Sequence, residues 1–426
     1  MNDSQPTPSR VEAWFSRVFG DDAPKRFGTG WTSGVLSVLL GASALGAVLT
    51  LHFPAWLSSA ELRSAYPMGT MRMLIGAVIG AAFLLAAVSL MLRRRKTLGL
   101  VGLACTGAAM LLGGAGVPIE ARPDDTPFYL GLDWFLLNLL LLALVFVPLE
   151  RAFPRVTEQR VFRFGWATDG AHFLVSHLAV QVLTFLSLLP ASWLAARSDG
   201  SVSGLVRGQP LWIQVIEIML VADVTQYWVH RAFHRIRWLW PFHAVHHSSR
   251  VLDWLAGSRL HLVDVIATRA LVLVPLFVLG FAEPALYAWL VVVAFHAVFN
   301  HVNLRFRLRW IEPILVTPRF HHWHHAATPA DKNFAVHFPW LDRLFGTFWM
   351  PDGAWPQRLG LSGDPVPEGW LAQTAHPFRE LRQWSNSGHP TFPSSRSARS
   401  RLRSKEKTGH PSDEAAKKQN THQTNH

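Results

Sequence analysis

Cysteine is nearly absent from this 426-residue chain: there is one, Cys105, inside an apolar block. That excludes a disulfide framework, a thiolate zinc site and an iron–sulfur cluster built from this chain alone. Charge is scarce too, at 16% of residues, and acidic charge scarcest, with 28 Asp and Glu against 40 Lys and Arg. Any metal chemistry must therefore rest on the 21 histidines and a few carboxylates. A net charge of +12 would suit a nucleic-acid binder if the chain were soluble. Here the basic residues cluster beside apolar segments, which fits anionic lipid headgroups and argues against nucleic acid. Half of the residues are hydrophobic, and they run in long blocks.

Those blocks predict an all-α, multi-pass helical membrane protein. Residues 1–30 are polar and lack the apolar core of a signal peptide, so no cleavage is expected. Runs able to cross about 30 Å of hydrocarbon occupy roughly 31–53, 70–92, 97–117, 129–149, 171–195, 211–229, 262–281 and 284–303. The sixth is the weakest, because Glu217 and Asp223 interrupt it. The last two read as a hairpin turning at Glu283-Pro284.

Basic loops set the expected orientation. Lys25 and Arg26 precede the first run, Arg93-Arg94-Arg95-Lys96 follow the second, and Arg151, Arg155, Arg160 and Arg163 follow the fourth. The loop at 118–128 has Glu120, Asp124 and Asp125 against Arg122. Both termini and the 93–96 and 150–168 loops are thus expected in the cytoplasm, in a bacterial inner membrane. Counting on through eight runs returns the chain to that side after the sixth and the eighth. Beyond residue 384 the chain is rich in Ser, Arg and Lys, and disorder is expected.

Histidine clusters emerge at those two returns. His230 and His234, then His243, His246 and His247, place five histidines in eighteen residues. His321, His322, His324 and His325 follow around Trp323. The spacings are HxxxH, HxxHH and HxxHH. Residues three and four apart share a helix face, with Cβ atoms about 5–6 Å apart. Each cluster can therefore aim two or three imidazoles at one point. Imidazole suits iron, zinc, copper or nickel, and eight nitrogens exceed what one ion accepts, so two metal ions are expected. His322 is left off the HxxHH pattern, and His337 is not taken as a ligand.

His296 and His301, at the end of the eighth run, are further expected ligands. They are five apart, about 140° around a regular helix, so they would serve different ions or a distorted turn. Asp223, Tyr227, His230 and His234 share one helical stripe. Asp223 and Tyr227 are expected to accept the far N–H of a ligating imidazole, which fixes its tautomer and raises its basicity. Asn303 joins them as an expected catalytic residue. His261, three residues before Asp264, reads either as a ligand or as a histidine capping a membrane helix.

The arrangement resembles the fatty acid hydroxylase/sterol desaturase superfamily of integral membrane di-metal enzymes. The matching residues are Asp223, Tyr227-Trp228-Val229-His230-Arg231 and His234, then His243 and His246-His247-Ser248-Ser249, then Asn300-His301-Val302-Asn303. They continue with Pro318-Arg319-Phe320-His321, His324-His325 and Asp331-Lys332-Asn333-Phe334, and end at Trp340-Leu341-Asp342-Arg343-Leu344-Phe345-Gly346-Thr347. The resemblance implies two iron ions, replaceable by zinc, and O2 as co-substrate. It implies hydroxylation or desaturation at a lipid C–H bond. Electrons would come from an external ferredoxin- or cytochrome-type donor, since the chain has no fused haem module.

Two other readings stay open at this stage. A zinc-dependent lipid hydrolase needs only about three protein ligands, and a metal transporter would hold its ligands near the bilayer midplane. The expected organisation is a membrane region at 1–125 with no assigned role, a catalytic domain at 126–350, a cytoplasmic extension at 351–383 and the tail at 384–426.

Overall fold

The computed structural model of the chain describes residues 10–19, 28–58, 67–118, 129–198, 200, 202–361 and 366–387. The acidic residues of the 119–128 loop, Lys25, Arg26 and the tail from 388 lie outside the described residues. The fold is all-α. Among the described residues the only extended pairings are two isolated bridges, Pro154 with Leu304 and Ala326 with Leu359.

Three long helices build the N-terminal part: α2 (Trp31–His52), α3 (Met68–Leu92) and α4 (Thr97–Leu111), preceded by the short α1 (Arg10–Phe19). The buried face of α2 is made of small residues, including Gly34, Ser37, Gly41 and Ala44. A Cβ on Gly41 would stand 2.9 Å from the Gly102 carbonyl oxygen, so α2 and α4 approach closely only because that position is glycine. Hydroxyls on these faces donate back to their own helices, Ser37 to Gly34 O at 2.8 Å and Thr106 to Gly102 O at 2.7 Å. In hydrocarbon that satisfies groups which would otherwise have no partner.

The remaining helices are α5 (Leu132–Ala152), α6 (Trp166–Leu178), α7 (Val180–Ala195), α8 (Leu211–Arg235), α9 (Trp240–His247), α10 (Leu262–Leu279), α11 (Glu283–Phe299), α12 (Pro318–His324) and α13 (Trp370–Ser387). Among the described residues five segments, at α2, α3, α4, α5 and α10, are long and apolar enough to span a membrane. The pair α6–α7, bent by 66°, would make a sixth. The expected eight is corrected accordingly. Helix α8 does not qualify; it carries Glu217 and the buried Gln214 and Asp223 as it packs against α10 and α11. Helix α11, at 17 residues, is short.

The helices nevertheless share two ends. At one, Ser89 Oγ donates to Gly30 O, Glu12 accepts from Gly165 N, and Glu150 accepts from both Trp254 N and Asn303 N. This end gathers the start of α2, the end of α3, the end of α5 and the start of α6. At the other, Arg207 donates to Gly280 O and Gln214 accepts from Ala282 N, joining the start of α8 to the α10–α11 turn. The chain thus runs back and forth between the ends even where a helix is too polar to face lipid. All histidine clusters lie at the first end, with the basic 93–96 and 150–168 loops.

A cap of short helices and loops closes that end: α9, α12, the segment from 300 to 361, and α13. Helix α13 packs on α9 and α6, and Gln373 meets His172 Nε2 at 2.9 Å.

Candidate metal centre

Two groups of histidines converge under the cap. His230, His234, His243, His247 and His324 form one, and His246, His301, His321 and His325 the other. In each group the candidate ligand atoms lie within 4.8 Å of one another. All nine side chains are buried except His230, which is half-buried.

Helix geometry explains the sorting. Residues four apart share a face, and neighbours point about 100° apart. His230 and His234 on α8, and His243 and His247 on α9, therefore enter the five-histidine group as pairs. His321 and His325 enter the four-histidine group as a pair. The remaining member of each HxxHH cluster crosses over: His246 joins the four, and His324 joins the five. Pro318 in the first turn of α12 starts that helix where its missing N–H costs nothing.

In six of the nine the opposite ring nitrogen is anchored, whereas Nδ1 of His321 and of His325 is buried without a partner. Nδ1 of His230 faces Phe334 O at 2.8 Å, and Nδ1 of His324 faces Lys332 O at 2.8 Å. Nδ1 of His246 faces Arg259 O at 3.1 Å, and Nδ1 of His301 faces Ala297 O at 2.7 Å. A carbonyl only accepts, so each Nδ1 carries the proton and each Nε2 is a bare lone pair. Asp264 holds His243 Nδ1 in the same way at 2.7 Å, and Asp331 lies 3.3 Å from His234 Nδ1.

Ring nitrogens then meet head-on. His230 Nε2 stands 3.0 Å from His243 Nε2, and His301 Nε2 stands 3.3 Å from His246 Nε2. His321 Nε2 lies 3.0 Å from His301 Nε2 and 3.1 Å from His325 Nε2. Nε2 of His234, His247 and His324 is buried without a hydrogen-bond partner. Facing lone pairs repel unless a proton or a cation lies with them. Protonation is disfavoured: burial first, then neighbouring imidazoles, holds His246, His247, His321, His324 and His325 well below the ordinary histidine range. Burial pushes His301 down to about 4. A metal ion fits instead, since ligands about 2.1 Å from an ion and at right angles stand about 3.0 Å apart.

His296 is not brought to either group. Its Nε2 faces Val316 O at 2.8 Å and its Nδ1 faces His337 Nδ1 at 2.7 Å, which pins the 316–337 segment to α11. Asp223 accepts instead from Val336 N at 2.8 Å and Phe338 N at 2.6 Å, holding the cap loop to α8. Tyr227 OH is engaged with Thr347 Oγ1 and Arg231. Asn303 pairs with the main chain of Val156 through both side-chain atoms. Asp223 and Tyr227 were expected to accept from the ligands, and Asn303 to be catalytic. Their polar atoms are taken up by loops, and the acceptor role falls to Asp264 and Asp331. His261 accepts from Val263 N and so caps α10. His322 lies outside both groups, its Nε2 3.3 Å from His301 O.

Arg259 adds a support that the sequence did not disclose. Its carbonyl accepts from His246, and its buried guanidinium donates to Asp169 at 2.5 Å. Arg163 bridges the same Asp169 to Asp253 at 2.6 Å on each side.

The family model for fatty acid hydroxylases matches residues 215–347. Over 172 residues the chain is 35% identical to ornithine lipid hydroxylase OlsE of Rhizobium tropici, covering 40% of this chain and 51% of that protein. Alkylglycerol monooxygenase of Danio rerio is 34% identical over 134 residues, 30% of this chain and 29% of its own. Methylsterol monooxygenase 1-2 of Arabidopsis thaliana is 26% identical over 182 residues, 41% of this chain and 54% of its own. The chain thus spans about half or less of the length of these relatives. No solved structure matches it. The stretch matched by the fatty acid hydroxylase model, residues 215–347, carries all nine converging histidines.

Proposed function

We propose that this chain is a membrane-bound oxygenase that holds two iron ions and inserts oxygen from O2 into a C–H bond of a lipid. The observation that carries this reading is the set of buried imidazole nitrogens facing one another in two groups, at the end of a membrane helix bundle. Nine imidazoles far exceed the three or so that a hydrolytic zinc ion needs, and the relatives named above are a lipid hydroxylase and two monooxygenases. When bound, the iron pair supplies the redox chemistry that activates O2. The chain's own residues do the rest. Carbonyls and carboxylates on the far nitrogens fix six of the nine rings, those of His230, His234, His243, His246, His301 and His324, and keep their lone pairs inward. Burial under the cap excludes water. A site at the bundle end lets an acyl chain or ring system arrive from the bilayer.

The catalytic unit is residues 126–350, with His230, His234, His243, His247 and His324 on one ion and His246, His301, His321 and His325 on the other. Electrons come from an external ferredoxin- or cytochrome-type donor. The histidine end faces the cytoplasm of a bacterial inner membrane, as the basic 93–96 and 150–168 loops at that end support. Membranes from expressing and non-expressing cells, incubated under ¹⁸O2, test the reaction. A lipid heavier by one labelled oxygen is expected. Label taken only from H2¹⁸O would assign hydrolysis, and loss of two hydrogens without label would assign desaturation.

A further inference from the structure

Beside the five-histidine group lies a cavity of about 360 Å³ lined by Arg231, Arg235, Asp331, Lys332, Phe345 and Thr347, among others. Arg231 and Arg235 are four apart on α8 and so present their guanidinium groups on one face. Lys332 also lines the cavity. Among the described residues neither Arg235 nor Lys332 has a carboxylate within 4.0 Å. The one acidic residue in the lining, Asp331, is buried and committed to His234.

The wall is rigid. Asp331 and Asn333 sit in the left-handed region, at φ 59° and 60°. Asn333 holds that backbone by donating to Phe320 O and Trp349 O and accepting from Trp349 N. Trp228 and Leu344, on the same side, are exposed, and Trp228 packs on Phe345. Arg231 lies 5.4 Å over the Trp228 ring. Tryptophan and arginine together at a helix end mark the headgroup level of a bilayer.

We infer that this cavity binds the phosphate of a lipid headgroup and so positions the substrate. The inference deepens the proposed function and rests on its reading of the substrate as a membrane lipid. Three cations around one small cavity suit a phosphate, above all the dianionic monoester of a phosphatidic acid, better than a carboxylate, and arginine forks match its oxygens. A volume near the low end of ligand pockets, about 300–1,000 Å³, admits a headgroup and leaves the acyl chains to the bilayer. The occupant would touch Lys332, whose carbonyl anchors His324, and would lie against Asp331, the partner of His234.

The test uses the full-length, metal-loaded protein in mild detergent, with soluble dihexanoylphosphatidic acid, dihexanoylglycerol and inorganic phosphate as probes. Binding is read by calorimetry and by thermal shift, with no turnover required. The wild type should bind the phosphatidic acid and not the glycerol. Arg235→Gln and Lys332→Gln should each weaken binding about tenfold, the loss of one charge-assisted contact, and Arg235→Lys should retain most of it. Metal content equal to wild type establishes that the variants are folded. Unchanged affinity in both Gln variants overturns the site, and so does equal binding of dihexanoylglycerol. Inorganic phosphate bound as tightly as the lipid overturns the lipid assignment in favour of free phosphate. Variants that keep lipid affinity but raise the KM for a reduced protein donor overturn it in favour of protein docking. Phosphatidic acid binding without ¹⁸O incorporation supports the cavity while refuting the reaction.

Discussion

Asp264→Asn should release one ion and leave the other. Asp264 Oδ2 accepts from His243 Nδ1 at 2.7 Å with both side chains buried, and Thr268 steadies the carboxylate by donating to Oδ1 at 3.1 Å. Asparagine keeps the shape and one acceptor oxygen but removes the charge. A hydrogen bond to a charged group is worth about 1.5–3 kcal/mol and a neutral one about 0.5–1.5. The difference, about 1–1.5 kcal/mol, is roughly tenfold in affinity, at the lower edge of the 10–100-fold typical of such partners. The effect should be one-sided. His243 belongs to the five-histidine group, whereas His246 and His301 of the other group are anchored by carbonyls that the substitution does not touch. Dialysis against graded chelator, followed by elemental analysis, should leave the variant with one ion per chain where the wild type keeps two. Equal loss of both ions, or retention of both at every concentration, would refute the pairing of His243 with Asp264 as a support of one ion.

Alanine at any of the nine converging histidines should lower metal content and abolish turnover, while His296→Ala should keep both ions and instead lower the melting temperature; elemental analysis beside thermal denaturation separates the two. Arg259→Leu leaves Asp169 buried with one fewer partner, and breaking such a pair costs about 3–5 kcal/mol, so a melting temperature within a degree of wild type would refute the role of this network. In a Cys105→Ser background, single cysteines near Arg94 and Ser249 should resist a membrane-impermeant maleimide in intact cells, and one near Asp124 should react. Opposite behaviour at 94 and 249 would contradict their shared end.

The histidines were legible in the sequence because helical spacing is a local property: HxxxH and HxxHH state which rings share a face. How the clusters combine was not legible, because it depends on α8, α9, α11 and α12 meeting in space. Nothing near His246 or His324 announces that each crosses to the group its neighbours avoid. The anchors were hidden for a different reason. Four of them are main-chain carbonyls, of Lys332, Phe334, Arg259 and Ala297, which any residue supplies. Asp223 stood out because a carboxylate in an apolar run needs partners, yet those partners are two amides more than 110 residues away. The all-α membrane class was carried by the apolar blocks. The number of spans was not, since the apolar runs at α8 and α11 look alike in outline to spans, yet α8 is too polar and α11, at 17 residues, too short.

Each ion, once bound, would also act as a cross-link. One would tie His230 to His324, and the other His246 to His325, each closing a loop of roughly ninety or eighty residues that contains α10 and α11. Closing loops of that length in an unliganded chain carries an entropic cost that grows only slowly with length, and ion binding then becomes part of the folding free energy. The last ligands, His324 and His325, follow every helix among the described residues that is long and apolar enough to span a membrane. That order would let the bundle insert into the membrane before the cap has its metal, and the supply of metal at that later moment would then set how much of the inserted protein matures.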